Sequence, residues 1–584
     1  MKKKIIWILV SCLMVLSLIM ASCGTTETEE EGEAETGPEE PEYGGTVNVL
    51  QNQEASTFDE CAGGMSGTAW TLNLTNEEIL EGDWSKGQAG TGEFLWTTGG
   101  AVTRMDSKIG RLAESWEIPE VGHIIWNIRQ GVHFALDPDS DASRLVNGRE
   151  LTAEDIVYSV ERYKSCPKNT MSFSDMKHTV LTAPDKWTVD VTIPPQMFPE
   201  MERLGDWCSI IPKEVVEEYG DMVDWKNSVG TGPFMLKEYI VGSSATLDKN
   251  PDYWQKDPVG LGKGNQIPYI DTVKILVVPD TSTQMAAIRT AKVDRLAVLW
   301  SDAGNLKQTN PDLLYKKFSA DGGLTMSMKL DNPELPFQDK NVRHALLMAT
   351  DFETIVDDYY EGDAQILTFP FPYIEGYENA HLSLEEAPAE IQELYSYNPT
   401  KAKQLLTDAG YPDGFPTKIT CRNIPAEVDY LSIIKDQWSK VDVDLTIEPV
   451  DTGAFFSLWV TRAWEEMGYC GMIYVGNIYL GWHLAGPLNT NASMIDDPLA
   501  WECKNQMGAL GMTDTNAADR IHKEFMPYAL DQAWAIPAPW PSQYCFWWPW
   551  LKNYHGENSI GSGNLNLWTK YAWIDQDLKE SMGY

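Results

Sequence analysis

The side chains of this chain best suited to chemistry are carboxylates, indoles, phenols and thiols. Their spacing points to holding a molecule rather than breaking one. No GxSxG elbow, P-loop or HExxH pair occurs, so the usual marks of an activated serine, a phosphate cradle or a helical zinc pair are missing. The eight histidines are dispersed, and imidazole sites need several converging ligands. His483 alone sits in a suggestive stretch, and a lone histidine reads as hydrogen-bonded structure. Asp137, Asp139 and Asp141 alternate ahead of Ser143, which is the front half of a calcium loop. Ala142 stands where that loop needs glycine and Gly148 where it needs its closing glutamate. The segment therefore reads as a solvated acidic loop, with calcium the lesser alternative. Nothing singles out the pair of carboxylates that a glycosidase would need. No catalytic residue and no cofactor is expected.

Aromatic residues gather late in the chain, at Trp459, Trp464, Tyr469, Tyr474, Tyr479 and Trp482. Indole and phenol rings offer a flat apolar face with a polar edge. They suit stacking on a sugar ring or enclosing an apolar side chain, although buried aromatics more often serve packing.

The N-terminus supplies a destination. Lys2, Lys3 and Lys4 precede an uncharged apolar run from Ile5 to Met20, and Ala21-Ser22-Cys23 follows. This is the pattern of a secretory signal. Cys23 resembles the lipidated cysteine of a bacterial lipobox, with Met20 where leucine is usual. Residues 1–22 are read as signal peptide and 23–43 as a lipid-anchored acidic linker. Thr25 to Glu42 holds nine glutamates and no basic residue, a composition that cannot bury a core. The whole chain carries a net charge of −41, which argues against nucleic acid as a partner. Of nine cysteines, those left after Cys12 and Cys23 number seven and form no CxxC pair. A zinc site is not expected, and the odd count leaves at least one cysteine unpaired within the chain.

These side chains need elements to position them. Gly44 to Leu50 alternates as a strand, Ile124 to Gln130 and Val132 to Phe134 suggest a hairpin around Gly131, and Lys186 to Ile193 alternates again. Thr152 and Asp155 form a capping-box pattern ahead of Ile156, Val160 and Tyr163 on one helical face. A strand at Val273 to Val278 is followed by a helix at Thr281 to Ala291. Helices are expected over Asp339 to Met348, Asp351 to Tyr360, Pro399 to Ala409 with Gly410 as the stop, and Ala426 to Lys440, which feeds a strand from Val443 to Val450. Alternating strands and helices argue α/β packing.

Several segments together resemble the large extracytoplasmic binding proteins for peptides, nickel and oligosaccharides, solute-binding family 5. They are LAESWE at Leu112 to Glu117, QGVHF at Gln130 to Phe134, LTAEDIVYSVER at Leu151 to Arg162, VGTGPFMLKEY at Val229 to Tyr239, KNPDYW at Lys249 to Trp254, PFQDKNVRHAL at Pro336 to Leu346, and Tyr397 to Phe415. Most of these matches read as structural: Gly230, Gly232 and Pro233 as a tight turn between two strands, Asn250 to Tyr253 as a second turn, and Arg343 as the holder of a buried carboxylate or helix end. The resemblance implies an α/β, two-lobed periplasmic-binding-protein fold of the large type II-like kind, with a hinge and an extra subdomain. The expected boundaries are 44–320 for lobe I, with the subdomain at about 76–205, then 321–520 for lobe II and 521–584 for a return to lobe I. Trp547-Trp548-Pro549-Trp550 reads as lobe packing.

The same resemblance implies the binding subunit of an ABC importer, a monomer that is not an enzyme. It would be anchored outside the cytoplasm and deliver a solute to permease and ATPase subunits. In peptide-binding members an aspartate in a Trp-Asp-Pro-Asp-like segment meets the ligand amine. The matching segment here, Gly471 to Leu484, has no acid, and Asn477 stands near the carboxylate position. A peptide is the expected solute and an oligosaccharide the alternative, with a non-transport surface sensor as a further reading. Asn477, Tyr474, Tyr479, Trp482, Trp459 and Trp464 are the candidate contacts.

Overall fold

The computed structural model describes residues 40–584 apart from 64, 97–103, 167–177, 196–197, 320–322, 471–477, 480, 482, 488 and 562–563. The chain from Glu39 onward forms one compact unit by itself, built on two lobes.

The first lobe rests on two sheets that share one core. In the larger, strand Thr46–Gln51 lies parallel to Thr272–Val277, and Ser244–Lys249 and Phe234–Ile240 continue the sheet antiparallel. In the smaller, Gln543–Trp547 runs between Arg295–Leu299 and Leu314–Phe318. Their common core buries Val47, Val49, Ile275, Phe546, Trp548 and Trp550. The Trp548 and Trp550 rings stack at 4.7 Å, and Trp550 Nε1 donates to Asp294 at 2.8 Å. The Trp547 to Trp550 run is thus packing, as its sequence suggests.

The extra subdomain is a four-stranded antiparallel sheet in the order Ala113–Glu120, His123–Ile128, Thr188–Thr192, Val180–Asp185. The helix Ala153–Lys164 covers it. The Asp155 carboxylate accepts from the Thr152 backbone N–H at 2.9 Å, which completes the capping box, and Ile156, Val160 and Tyr163 are buried. The hairpin expected around Gly131 does not form. Ile124 to Ile128 pairs with the strands on either side of it, while Val132 to Phe134 pairs with Arg149 to Leu151. Gly131 takes a φ of 78° and serves as the bend between two different partners. A disulfide joins Cys61 to Cys166, and Cys208, Cys421, Cys470, Cys503 and Cys545 are buried thiols.

Gly230 and Gly232 also differ from expectation. A strand starts after them at Phe234, but a 3-10 turn at Trp225–Asn227, not a strand, precedes them. Their lack of a side chain is needed for close approach. A Cβ at Gly230 would lie 2.2 Å from the Thr75 carbonyl oxygen, and one at Gly232 2.5 Å from that of Leu74. Asn250 holds this turn through Nδ2 to the Gly232 carbonyl at 3.0 Å.

The second lobe is a five-stranded sheet ordered Val443–Val450, Phe415–Arg422, Met467–Cys470, Thr325–Met328, Ala535–Pro537. The first three are parallel and the last two antiparallel to their neighbours. Alternation in Val443–Val450 buries Val443 and Leu445. The helix Pro399–Asp408 ends against Gly410 at φ 91°. Arg343 holds a helix end and not a carboxylate: its Nε donates to the Gln532 carbonyl at 2.8 Å and its Nη1 to that of Phe337 at 2.7 Å.

Two passages join the lobes. The chain leaves at Phe318 to enter Thr325–Met328, and returns from Ala535–Pro537 into Gln543–Trp547. The passages run side by side, since Ala538 N–H donates to the Leu324 carbonyl at 3.0 Å. The helix Thr515–Gln532 packs in the second lobe, where Met526 and Leu530 join one core cluster and Ala518, Phe525 and Ala529 another.

Candidate functional site

The parallel strands of the second lobe end at Arg422, Val450 and Cys470, in register with Thr325 where the chain enters from the first lobe. The carboxyl edge of that sheet thus adjoins the passages between lobes, and such an edge is where open α/β sheets receive ligands. Arg422 is already engaged there, its Nε donating to Glu427 at 2.6 Å.

The lobes are also held together by polar contacts centred on Arg104. It belongs to the first lobe and is tied there by Nε and Nη2 to the two carboxylate oxygens of Asp106, at 3.0 and 2.7 Å. Its Nη1 reaches the second lobe, donating to Asp519 Oδ2 at 2.8 Å and to the Gly376 carbonyl at 3.0 Å. Thr515 Oγ1 donates back to Asp106 at 3.2 Å. The guanidinium lies over the rings of Tyr377 and Phe94, at 5.3 and 5.8 Å from their centres, which favours a cation. The second oxygen of Asp519 accepts from the Tyr479 hydroxyl at 2.7 Å.

Burial governs the charges in this cluster. It pushes the Asp519 carboxyl above the usual range, the charge of Asp106 adds to this, and Arg104 and Tyr479 oppose it. Burial also works on Asp106, but the hydrogen bonds and charge of Arg104 outweigh it and hold that carboxyl low. The guanidinium is held firmly charged. Further contacts between lobes flank the passages. Lys317 meets Asp363 at 2.8 Å, Tyr544 donates to Asp363 at 2.6 Å, and Trp300 meets Tyr360 edge-on at 5.6 Å.

Of the residues expected to touch a solute, Tyr479 is at this junction. Trp459 and Trp464 are buried in a small cluster with Phe455, Cys470 and Ala492, beside the ends of two parallel strands. Asn477, Tyr474 and Trp482 lie outside the described residues. Asp137 is paired with Lys237 at 2.6 Å, Asp141 opens a short helix and pairs with Arg144, and Asp139 donates its N–H to Asp137. No group of three metal-binding side chains converges among the described residues. His483 is buried against His522, with ring centres 5.9 Å apart, and burial holds its pKa well below the usual value. Arg104 and Asp519 were not expected from the sequence. Asp519 did leave a signal, an acid on the buried stripe Thr515, Ala518, Asp519, His522, Phe525 of an amphipathic helix.

Comparison with known proteins agrees with this architecture. The family described as bacterial extracellular solute-binding proteins, family 5 Middle, matches residues 109–472. Heme-binding protein A of Haemophilus influenzae is 26% identical over 358 residues, which is 57% of this chain and 60% of that one. The oligopeptide-binding protein AppA of Bacillus subtilis is 24% identical over 492 residues, 80% of each chain. The chain therefore spans less than two thirds of the first relative's length. A periplasmic binding protein DppA from Helicobacter pylori, solved with the peptide STSA, superposes with a TM-score of 0.67 at 20% identity, covering 91% of this chain and 99% of that one. This likeness establishes the two-lobed fold. No described helix is long and apolar enough to cross a membrane.

Proposed function

The chain belongs to the bacterial extracellular solute-binding proteins, family 5, and from that premise we propose that it captures a peptide-like solute between its lobes and hands it to the permease of an ABC importer. The observation that carries this reading is the pair of passages between lobes that also meet at a desolvated, charged junction. Two passages permit hinge closure, and the junction supplies contacts that exist only when the lobes meet. Relatives named for oligopeptides and dipeptides support a peptide as the solute. The oligosaccharide reading has less behind it, because Trp459 and Trp464 are engaged in packing. In keeping with a family made of solute-binding proteins, the chain releases its ligand unchanged. Cys23 is lipidated, the acidic linker sets the body off the membrane, and the working form is a monomer outside the cytoplasm.

Native mass spectrometry of the chain from Glu39 onward, purified through a peptide- and sugar-rich extract, tests this. A retained peptide supports the proposal, and a retained glycan with no peptide refutes the choice of solute.

A further inference from the structure

We infer that the second lobe carries its own latch: the first turns of the helix Thr515–Gln532, with Met512 just ahead of them, dock on the first lobe and populate the closed form whatever the solute is. The inference rests on the hinge closure proposed above and names what holds the lobes once they meet.

Three contacts of different kinds come from this one short stretch. Met512 is 6% exposed and belongs to the apolar cluster of the extra subdomain, with Phe198, Met201 and Leu204. Thr515 Oγ1 donates to Asp106 at 3.2 Å. Asp519 accepts from Arg104 at 2.8 Å. Residues 515 and 519 are four apart in a helix and so share a face. Asp514 caps that helix by accepting from the Ala517 N–H at 2.9 Å, which fixes the angle at which Met512 approaches. The preceding helix, Pro498–Leu510, comes as near: a Cβ on Gly508 would lie 3.3 Å from the Pro199 ring.

Both sides of the latch are set before they meet. Both oxygens of Asp106 hold the Arg104 guanidinium, so reaching Asp519 costs it little side-chain freedom. Tyr479 holds Asp519 in the same way at 2.7 Å. When the lobes part, Arg104 keeps Asp106 and Asp519 keeps Tyr479, so neither charge is stranded, which is the usual cost of breaking a buried pair. Opening therefore gives up only a few contacts: the Arg104 bonds to Asp519 and to the Gly376 carbonyl, the Thr515 bond, and the burial of Met512. A set this small shifts the balance between open and closed forms without locking it. All of these contacts join protein to protein. They contribute equally to every solute that fits between the lobes, because a ligand gains from closure only what differs between the two forms.

The test pairs small-angle scattering with calorimetric titration on the chain from Glu39 onward, comparing the unaltered protein with Asp519→Asn and Met512→Ala. Without any solute, the unaltered chain should have a smaller radius of gyration than either variant, and equal radii overturn the latch. That comparison stands whether or not the solute is a peptide. The titration uses one peptide with free termini, its N-acetylated form and its C-amidated form. Asp519→Asn should weaken all three by the same factor, about 10-fold or more, the loss of one charged hydrogen bond. Met512→Ala should also weaken all three alike with no change of charge, and it carries the test if the buried carboxamide of Asp519→Asn upsets the fold. Weakening confined to the peptide with a free amine, or no weakening at all, overturns the latch. Failure of every peptide to bind the unaltered chain refutes the peptide reading and leaves the solute-free scattering to decide the latch.

Discussion

Replacing Lys570 with methionine removes one ion from a buried network that ties the C-terminal return of the chain to the first lobe. Lys570 Nζ lies 2.7 Å from Glu81 Oε2 and 2.7 Å from Gln255 Oε1, and the Lys570 and Glu81 side chains are both 0% exposed. Arg111 also approaches Glu81, at 3.5 Å, through the Nε that it already donates to Glu77 at 2.9 Å. Burial works against the Glu81 carboxylate, but the charges of Lys570 and Arg111 together hold it ionised. Burial also pushes the Lys570 ammonium down to about 8, so it is still charged at neutral pH. Without it, Glu81 keeps the Gln255 amide at 2.7 Å and a distant share of Arg111. Breaking a buried pair from one side costs about 3–5 kcal/mol. Methionine retains most of the lysine stem, so little of that loss comes from a cavity. Lys570→Met should therefore lower the stability of the first lobe by about 3–5 kcal/mol in denaturant unfolding followed by tryptophan fluorescence. Adding Glu81→Gln should recover about half or more, which is a coupling of at least about 2 kcal/mol. The loss should persist in high salt, because the pair is shielded from counterions. A Lys570→Met loss below about 1 kcal/mol, or a double variant that loses the sum of the two singles, refutes this reasoning.

Other consequences concern the subdomain and its joint with the first lobe. Burial raises the Glu60 carboxyl to about 7 from 4.5, although Ser209 donates to it at 2.7 Å. The folded chain then binds the extra proton between these values, and its stability falls as pH rises from about 4.5 to about 7. Glu60→Gln should flatten that slope and gain about 1–2 kcal/mol at pH 8 by thermal unfolding; a variant equal to the parent at pH 8 contradicts this. Gly230→Ala, whose Cβ would meet the Thr75 carbonyl oxygen at 2.2 Å, should cost about 2–4 kcal/mol, because backbone must move to admit it. A neutral result would show that the turn relaxes freely.

The elements most legible in the sequence were those set by local chemistry. Thr152 and Asp155 announced their helix because a capping box lies within four residues, Gly410 ended its helix through a positive φ, and Val443 to Val450 showed its buried face by alternation. Long-range partners carry no such signal. Gly131 looked like a hairpin turn because both flanks are strand-like, yet their partners come from Ala113–Glu120, Thr188–Thr192 and Arg149–Leu151. Gly230 read as a turn between strands, whereas its need is set by the backbone of residues 74–76. The junction was the least legible part. Arg104 and Asp519 stand 415 residues apart, and only the acid on the buried stripe of the Thr515–Gln532 helix hinted at a partner.

The central claim is that a peptide-like solute closes the two lobes upon each other. Small-angle scattering of the chain from Glu39 onward, with and without a bound peptide and with oligosaccharides as controls, tests it most directly. The account predicts a smaller radius of gyration on adding the peptide, with no change on adding glycans. A peptide that binds tightly and leaves the scattering unchanged, or a glycan that alone compacts the protein, would contradict it.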